Sequence, residues 1–397
     1  MKNQSRSCMN RKAHALFFPM IFAMMLLMIA GPVYGADVIK LGAVYPLSGG
    51  VAESASYCVD GVKMAVNEIN ENGGLSIKGK MIPVELVLYD SKCNPTNGVA
   101  AVEKMLNRDK VIAISGDYCS SCCLAEREVS GRHKVAQITP VALHPKITEP
   151  GYPYMFRICN TMQMYAEPFV EFVDQKLDVQ SVAFLAITDD YGRAAIEAYT
   201  RLFPEKGIEV WGVEYFKHGD TDFYTQLTKI IKKNPDAVYI VTDENAQNIG
   251  ALSQLKELGF NGTIFGCSTY AKDDMIELGG KELLEGMYIE GPTFEMVKDK
   301  ESVKTWMNAY EREFDRGANT FALRGYNTIE LLADAIRRAD TVKDTDKIRD
   351  AVASANLTDV LTGYIGNEHF DDNGQVYPSM GVIQYVDGKR VPVYWGK

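Results

Sequence analysis

A loop with the sequence Cys119-Ser120-Ser121-Cys122-Cys123 carries the densest group of reactive side chains in the chain. It follows an apolar, strand-like segment and precedes a helical pattern, so unpaired backbone N–H groups at a positive helix end are expected there. Ser120 and Ser121 add hydroxyl donors, and this combination suits a carboxylate ligand. Three other interpretations stay open: a redox pair of Cys119 and Cys122, a metal site, and serines that only cap the helix.

Histidines are the other candidates for chemistry. Beyond residue 36 they are His133, His144, His218 and His369. None lies in a nucleophile-elbow or metal-helix motif, and only His144 lies in a predicted cleft loop. The sequence therefore predicts a binding protein rather than an enzyme, with no metal and no cofactor.

Residues 1–36 have the pattern of a cleaved secretory signal peptide. Its positive start is formed by Lys2, Arg6, Arg11 and Lys12. An apolar stretch at 15–30 follows, and small residues at 35–36 offer a cleavage site. We expect export and a periplasmic location.

The chain carries 42 Lys and Arg against 52 Asp and Glu, a net charge of −10. The predicted signal peptide holds basic but no acidic residues, so the exported chain is more acidic still. Nucleic acids and anionic membranes bind basic surfaces, so neither is an expected partner. An odd number of cysteines remains after export, so at least one lacks an intramolecular partner.

Two runs of alternating strand and helix patterns divide the chain. In the first half, strands are predicted at 38–45, 84–90, 111–116 and 134–139. In the second half, they are predicted at 181–187, 209–216, 237–242 and 263–266. These segments are apolar and rich in β-branched residues, as buried parallel strands are. The alternation predicts an α/β protein of two doubly wound, Rossmann-like lobes.

Ligands of doubly wound sheets bind at the carboxyl ends of the strands. The loops at those ends are predicted at 46–55, 116–123, 139–144, 188–191, 242–245 and 267–270. They form the candidate site. After about residue 290 the pattern is helical again, and it ends in short strands at 376–386 and 391–395. We expect the chain to return to the first lobe and cross back, which makes a multi-crossing hinge.

Six segments resemble, in order, the branched-chain amino acid binding proteins, which are periplasmic receptors of ATP-driven importers. They are KLGAVYPLSGGVA (40–52), VNEINENGGLSIKGKMIPVELVLYDSKCNP (66–95), SGDYCSSC (115–122), ITPVA (138–142), GYPYMFRICN (151–160) and DDYGRAA (189–195). The resemblance implies a type I periplasmic binding protein. It also implies a disulfide between Cys93 and Cys119, which would remove Cys119 from a redox pair.

Lobe boundaries follow from the predicted crossings. We expect lobe 1 at 37–157 plus 289–375, and lobe 2 at 158–288 plus 376–397. The resemblance further implies a monomer that closes on a small-molecule ligand and then docks on the membrane permease of an ABC transporter. A sensor that reports the ligand to a membrane receptor is the second binding hypothesis.

The candidate ligand residues come from both lobes. They are Ser54, Tyr118, Ser120, Ser121, Val141, Ala142, Leu143, Tyr191, Asp243, Ser268 and Phe321. Ser120 and Ser121 are assigned to an anion, and 141–143 to backbone contacts and wall. Tyr191 and Phe321 match aromatic wall residues of the family, with core packing as the alternative. Asp243 and Ser268 are assigned to the distal polar end.

Four positions depart from the family pattern. Leu143 stands where a threonine holds the ligand carboxylate, and Ser54 replaces an aromatic residue near the mouth. Asp243 and Ser268 stand where a tyrosine and a glutamate hold the ligand ammonium. A buried ammonium needs an anionic or hydrogen-bonding partner, so an amino acid ligand requires Asp243 or Glu244 to point inward.

Two alternatives follow if neither carboxylate points inward. The ligand would then be an amine-free carboxylate with an aromatic or aliphatic body, or a small amide. Arg324 is a further candidate, since it lies one helical turn after Phe321. It would bind a carboxylate in two-point fashion or form a salt bridge.

Overall fold

The computed structural model describes residues 38–291 and 294–395. The predicted signal peptide, residues 1–36, lies outside the described residues. Within the described ranges, no helix is both long enough and apolar enough to cross a membrane.

Strands and helices alternate along most of the chain. In chain order the strands are β1 (Ile39–Tyr45), β2 (Leu75–Ile77), β3 (Lys80–Ile82), β4 (Val84–Asp90), β5 (Ile114–Gly116), β6 (Gln137–Thr139), β7 (Met155–Arg157), β8 (Ser181–Ile187), β9 (Glu209–Phe216), β10 (Ala237–Val241), β11 (Thr263–Gly266), β12 (Tyr288–Gly291), β13 (Gly381–Val386) and β14 (Lys389–Trp395).

Helices connect these strands and form most of residues 294–360. They are α1 (Ala52–Glu71), α2 (Pro95–Lys104), α3 (Ser120–His133), α4 (Met162–Lys176), α5 (Asp190–Glu205), α6 (Tyr224–Ile231), α7 (Asn245–Glu257), α8 (Asp273–Gly279), α9 (Lys281–Leu284), α10 (Phe294–Val297), α11 (Glu301–Phe314), α12 (Thr320–Ala339), α13 (Thr345–Ala353) and α14 (Leu357–Val360). A π-helical turn, Met105–Asp109, extends α2.

The first large sheet has the strand order β4-β1-β5-β6-β7, and every pairing in it is parallel. Strands β1 and β4 lie where the apolar pattern predicts them. Strands β5 and β6 each begin three residues later than predicted, because an apolar run does not mark where strand pairing starts. The prediction missed β7, a three-residue strand too short to show a period.

The second large sheet has the strand order β14-β13-β12-β11-β10-β8-β9. Its strands from β8 to β12 are parallel, but β13 and β14 are antiparallel additions. The predicted strand at 376–386 is shorter in the structure, where it spans Gly381–Val386. The α/β class with two doubly wound lobes is confirmed.

The hydrophobic core forms two main clusters. One combines residues from 39–158 with residues from 294–376, and the other combines residues from 143–289 with residues from 380–385. The chain therefore passes between the lobes after β7, after β12 and before β13. Our lobe boundaries remain a proposal, and we propose to move the second crossing from 289 to a point after Gly291, since β12 pairs within the larger sheet.

Helices α1 and α12 pack with their backbones in close approach. A Cβ atom on Gly61 would lie 2.0 Å from Ala322 O, and one on Gly325 would lie 2.2 Å from Cys58 O. Only glycine fits at both positions, because any side chain would force the helices apart. Since α12 begins at Thr320, this contact also fixes the position of Phe321 in its first turn.

We predict that Gly325→Ala lowers the free energy of unfolding by about 1–3 kcal/mol, as overpacking of a tight contact does. Chemical denaturation of the ligand-free protein measures the change. Gly131→Ala in α3 is the matched control, because nothing lies within 4 Å of the added Cβ. That control should gain about 0.5–1 kcal/mol, and equal losses in both variants would contradict the packing argument.

Candidate ligand-binding site

A cavity of about 30 Å³ lies where loops from the two large sheets meet. Its walls are formed by Tyr118, Cys119, Ser120, Val141, Leu143, Tyr191, Asp243, Ser268, Thr269 and Phe321. The loops that carry these residues follow strands β5, β6, β8, β10 and β11, and Phe321 lies in the first turn of α12. The cavity therefore occupies the carboxyl edges of both sheets, where doubly wound proteins bind their ligands.

Most of the sequence-predicted ligand residues line this cavity, but Ser54, Ser121 and Ala142 do not. Ser54 is held in the contact between the lobes, where its Oγ lies 3.1 Å from Asn245 Oδ1. Ala142 packs in a small apolar cluster with Cys123, and its carbonyl accepts a hydrogen bond from Arg157. The ligand-binding roles of the residues on the wall stay a prediction.

The lobe 1 wall is built on the start of α3. The helix begins at Ser120, and its N-cap residue, Cys119, makes no side-chain capping hydrogen bond. Ser120 Oγ accepts a hydrogen bond from His144 N at 3.3 Å, which joins two of the predicted cleft loops. This wall combines a hydroxyl group with the positive end of a helix, so it suits an anionic group.

A disulfide joins Cys93 to Cys119, with 5.6 Å between the two Cα atoms. It ties the start of α3 to the loop that follows β4. Elsewhere in the described ranges the cysteines are buried free thiols: Cys58, Cys122, Cys123, Cys159 and Cys267. Burial raises the pKa of Cys122, so its thiol stays protonated, and the structure forms no redox pair from Cys119 and Cys122.

Aromatic residues close the apolar part of the cavity. The Tyr118 ring lies 5.8 Å from the Phe321 ring, measured between centroids. Tyr191 comes from lobe 2 at the start of α5, and its buried hydroxyl has no hydrogen-bond partner among the described residues. Leu143 and Val141 complete the wall, which is therefore largely apolar and includes one unused hydroxyl.

Asp243 supplies the acidic end of the cavity. The residue is 5 % exposed, and Oδ1 has no hydrogen-bond partner within the described part of the chain. Burial raises the pKa of Asp243 to about 7, and the negative charge of Asp189 adds to this effect. In its ionised form, the Asp243 carboxylate can accept hydrogen bonds from a cationic ligand group.

His218 and Glu244 lie beside Asp243 and not on the cavity wall. Glu244 Oε1 lies 2.8 Å from His218 Nδ1, so Glu244 is engaged by the histidine. Sequence reasoning assigned a cleft position to His144 alone and missed His218. The usable signal was its place two residues after β9, since the carboxyl ends of parallel strands converge at one edge.

Arg324 does not line the cavity. The residue is 7 % exposed, and Nη1 donates a hydrogen bond to Tyr165 Oη at 3.0 Å. It forms no salt bridge with any carboxylate in the described ranges. The salt bridge considered for Arg324 is therefore absent within the described ranges, and its side chain is directed at Tyr165.

A larger groove of about 690 Å³ lies elsewhere, along α4 and the last strand. Its walls include Glu167, Glu171, Tyr377, Tyr394 and Trp395. It lies away from the carboxyl edges of the sheets, so the smaller cavity is the better candidate for the ligand site.

Comparison with known families gives one match along almost the whole described chain. A family described as periplasmic binding protein matches residues 38–390. The chain belongs to the periplasmic binding protein family.

Among curated relatives of this binding protein is the leucine-, isoleucine-, valine-, threonine-, and alanine-binding protein of Pseudomonas aeruginosa. It is 28 % identical over 342 residues, which cover 86 % of this chain and 88 % of the relative. The resemblance to branched-chain amino acid binding proteins is therefore confirmed at the level of the family.

Two solved structures share the fold. The leucine binding protein LivK of Thermotoga maritima has a TM-score of 0.80 and 25 % identity, and the match covers 90 % of this chain and 98 % of that one. A solute binding protein from R. palustris, solved in complex with benzoate, has a TM-score of 0.79 and 15 % identity, with 90 % and 96 % covered. The second likeness shows the fold alone.

Lys272 lies in the contact between the two lobes of this binding protein, which we call the seam, and the sequence analysis did not select it. Its side chain is fully buried and Nζ lies 2.8 Å from Ser54 Oγ in lobe 1. Nζ also donates to Asn245 Oδ1, and it lies 5.8 Å from the centroid of the Phe321 ring. Burial lowers the pKa of Lys272 to about 8, because its described hydrogen-bond partners are neutral.

We predict that Lys272→Met raises the free energy of unfolding at pH 7 by up to about 3 kcal/mol, since the wild-type ammonium must be buried in its charged form. The pKa of Lys272 is lowered on folding, so the stability of the wild-type protein rises as the pH rises from about 8 towards 10.5. The stability advantage of Lys272→Met over the wild-type protein therefore disappears near pH 10.5. Denaturation at pH 7 and pH 10 measures both effects.

Lys63→Met is the matched control for this prediction, because Lys63 is exposed on α1. It should change stability little at either pH. A Lys272→Met variant that is less stable than wild type at pH 7 would show that the ammonium contributes more to the seam than its burial costs.

Proposed function

We propose that this chain is the extracytoplasmic solute-binding receptor of an ABC importer, and that it captures a hydrophobic amino acid in the cleft between its lobes. The observation that carries the proposal is the buried Asp243 carboxylate on the cavity wall, with Oδ1 lacking a partner in the described structure. An ammonium group would supply that partner. The opposite end, at Ser120 and the start of α3, suits a carboxylate.

An amino acid with an apolar side chain fits this division of the cavity. Its α-carboxylate would lie at Ser120, its ammonium group at Asp243, and its side chain against Leu143, Tyr191 and Phe321. Leu143 adds apolar wall where the family pattern has a threonine, so Ser120 and the helix end carry more of the anion binding. One curated relative is named as a leucine-, isoleucine-, valine-, threonine-, and alanine-binding protein, which supports this ligand class.

In the proposed cycle, a ligand that bridges both lobes stabilises the closed form. The closed form would then be presented to the membrane permease, with the protein acting as an exported monomer in the periplasm. The predicted signal peptide and the family membership support this location.

An amine-free aromatic or aliphatic carboxylate is the second candidate. The Tyr118 and Phe321 rings would suit an aromatic body. The raised pKa of Asp243, about 7, would let its protonated form donate a hydrogen bond to such a ligand. A relative with the same fold was solved with benzoate. The two candidates differ in the charge that they require on Asp243, so variants and pH distinguish them.

We predict that Asp243→Asn weakens binding of L-leucine at least thirtyfold, because it leaves a buried ammonium without a counter-charge, at a cost of about 2 kcal/mol or more. Binding of 4-methylpentanoate, which lacks the amine, should change little. Calorimetry on refolded, ligand-stripped protein measures both. Asp372→Asn, an exposed aspartate outside the cavity, is the matched control. Equal losses for both ligands would contradict ammonium recognition.

We also predict that L-leucine binding weakens as the pH falls. Asp243 must be ionised to hold an ammonium group, and its ligand-free pKa is raised to about 7. The apparent Kd should therefore rise about tenfold for each pH unit well below 7, or about a hundredfold between pH 8 and pH 5. An amine-free acid held by protonated Asp243 would show the opposite slope. Circular dichroism at each pH checks that the fold is intact.

A further inference from the structure

Three carboxylates of lobe 2 converge on the imidazole ring of His218. Nε2 lies 3.4 Å from Asp189 Oδ2, and Nδ1 lies 2.8 Å from Glu244 Oε1 and 3.7 Å from Asp243 Oδ1. The three acidic residues follow strands β8 and β10, and His218 follows β9. In the described ranges, no lysine or arginine forms a salt bridge with any of the three carboxylates.

The three carboxylates make different contacts with the imidazole ring. Glu244 makes the close contact with Nδ1, and Asp189 holds Nε2 while its other oxygen, Oδ1, caps α5 through Gly192 N at 2.7 Å. Both ring nitrogens are thus directed at carboxylates, and the ring orientation is fixed. Asp243 lies near the same ring, at 3.7 Å, but is not captured by a hydrogen bond. Asp243 itself lines the cavity.

The neighbouring charges determine the protonation state of the His218 imidazole and its effect on Asp243. Burial disfavours the charged ring, but its contacts with Asp189 and Glu244 prevail and raise the pKa of His218 to about 10, so the ring is a cation at pH 7. Asp189 and Glu244 raise the pKa of Asp243, and His218 lowers it. Lys272, a buried cation in this region, makes its hydrogen bonds to Ser54 and Asn245, and its charge also interacts with that of Asp243.

Lobe 1 covers this cluster. Cys93 Sγ, a His218 ring nitrogen and an Asp243 carboxylate oxygen all lie within 4.8 Å of one another. Cys93 is bound in the disulfide with Cys119, so it has no thiolate to offer a metal ion, and the arrangement is not a metal site. The disulfide lies beside the pair, in which Asp243 is buried and the His218 side chain is 37 % exposed.

We propose that His218 is a positioning residue for ligand selection: its imidazolium favours the ionised form of the neighbouring Asp243 carboxylate on the cavity wall, and so selects ligands that carry an ammonium group. This inference rests on the proposed function, because it assigns the ligand ammonium to Asp243. His218 itself does not line the cavity and acts through the carboxylate.

The first test needs no ligand. Protein labelled with ¹³C in aspartate is titrated by NMR, and the Asp243 carboxyl signal is assigned by its loss in Asp243→Asn. We expect His218→Gln to raise the Asp243 midpoint by at least one pH unit. Asp189→Asn should lower it, because asparagine keeps the helix cap but removes a negative charge. An unchanged midpoint in His218→Gln would overturn the inference.

The second test measures binding of L-leucine and 4-methylpentanoate between pH 6 and pH 9. His218→Gln should weaken leucine binding at least about fivefold at pH 7 and recover it towards pH 9, while 4-methylpentanoate binding changes less than twofold. His218→Lys, which keeps a cation, should retain leucine binding at pH 7. His133→Gln, a histidine paired with Glu103 away from the cavity, is the control.

These experiments separate failure of the inference from failure of the proposed function. Equal weakening of both probes in His218→Gln at every pH would show a structural role and overturn the inference. If wild-type protein binds 4-methylpentanoate but not leucine, the assignment of an ammonium to Asp243 fails, and with it the selection role of His218. The ligand-free titration then still decides whether His218 controls the charge of Asp243.

Discussion

Closure of the two lobes removes water from the contact between them, and the cost of burying polar groups there governs the site. A buried polar group without a partner costs a few kcal/mol. Ser54, Asn245 and Lys272 satisfy one another across the seam. On the cavity wall, Tyr191 Oη and Asp243 Oδ1 have no such partner among the described residues. A ligand that supplies the missing partners would therefore favour the closed form over the open one.

Two positions at which the sequence is expected to depart from the family pattern, Ser54 and Asp243, each lie beside a cationic side chain. The buried Lys272 Nζ lies 2.8 Å from the Ser54 hydroxyl. Asp243 brings a negative charge to the cavity wall, and His218 lies beside it as a compensating cation.

Most strands of the two large sheets were predicted well, and the short strands β7 and β12 were missed. Strands β1, β4, β8, β9, β10 and β11 lie within one residue of their predicted bounds, because each is an apolar-rich run in a parallel sheet. The three-residue β7 and the four-residue β12 carry too few residues to show a period. The antiparallel pairing of β12 with β13 depends on a chain return of about ninety residues, which no local pattern encodes.

The sequence by itself determined the two α/β lobes and the edge at which the site lies, because strand and helix alternation dictates which loops follow the carboxyl ends of parallel strands. Ser120, Tyr191, Asp243 and Ser268 could be selected on that basis. Only the tertiary structure decided which side chains face the cavity and which meet across the seam. Lys272 is buried because lobe 1 covers it, and contacts that span more than 200 residues, such as the one to Ser54, leave no trace in local sequence.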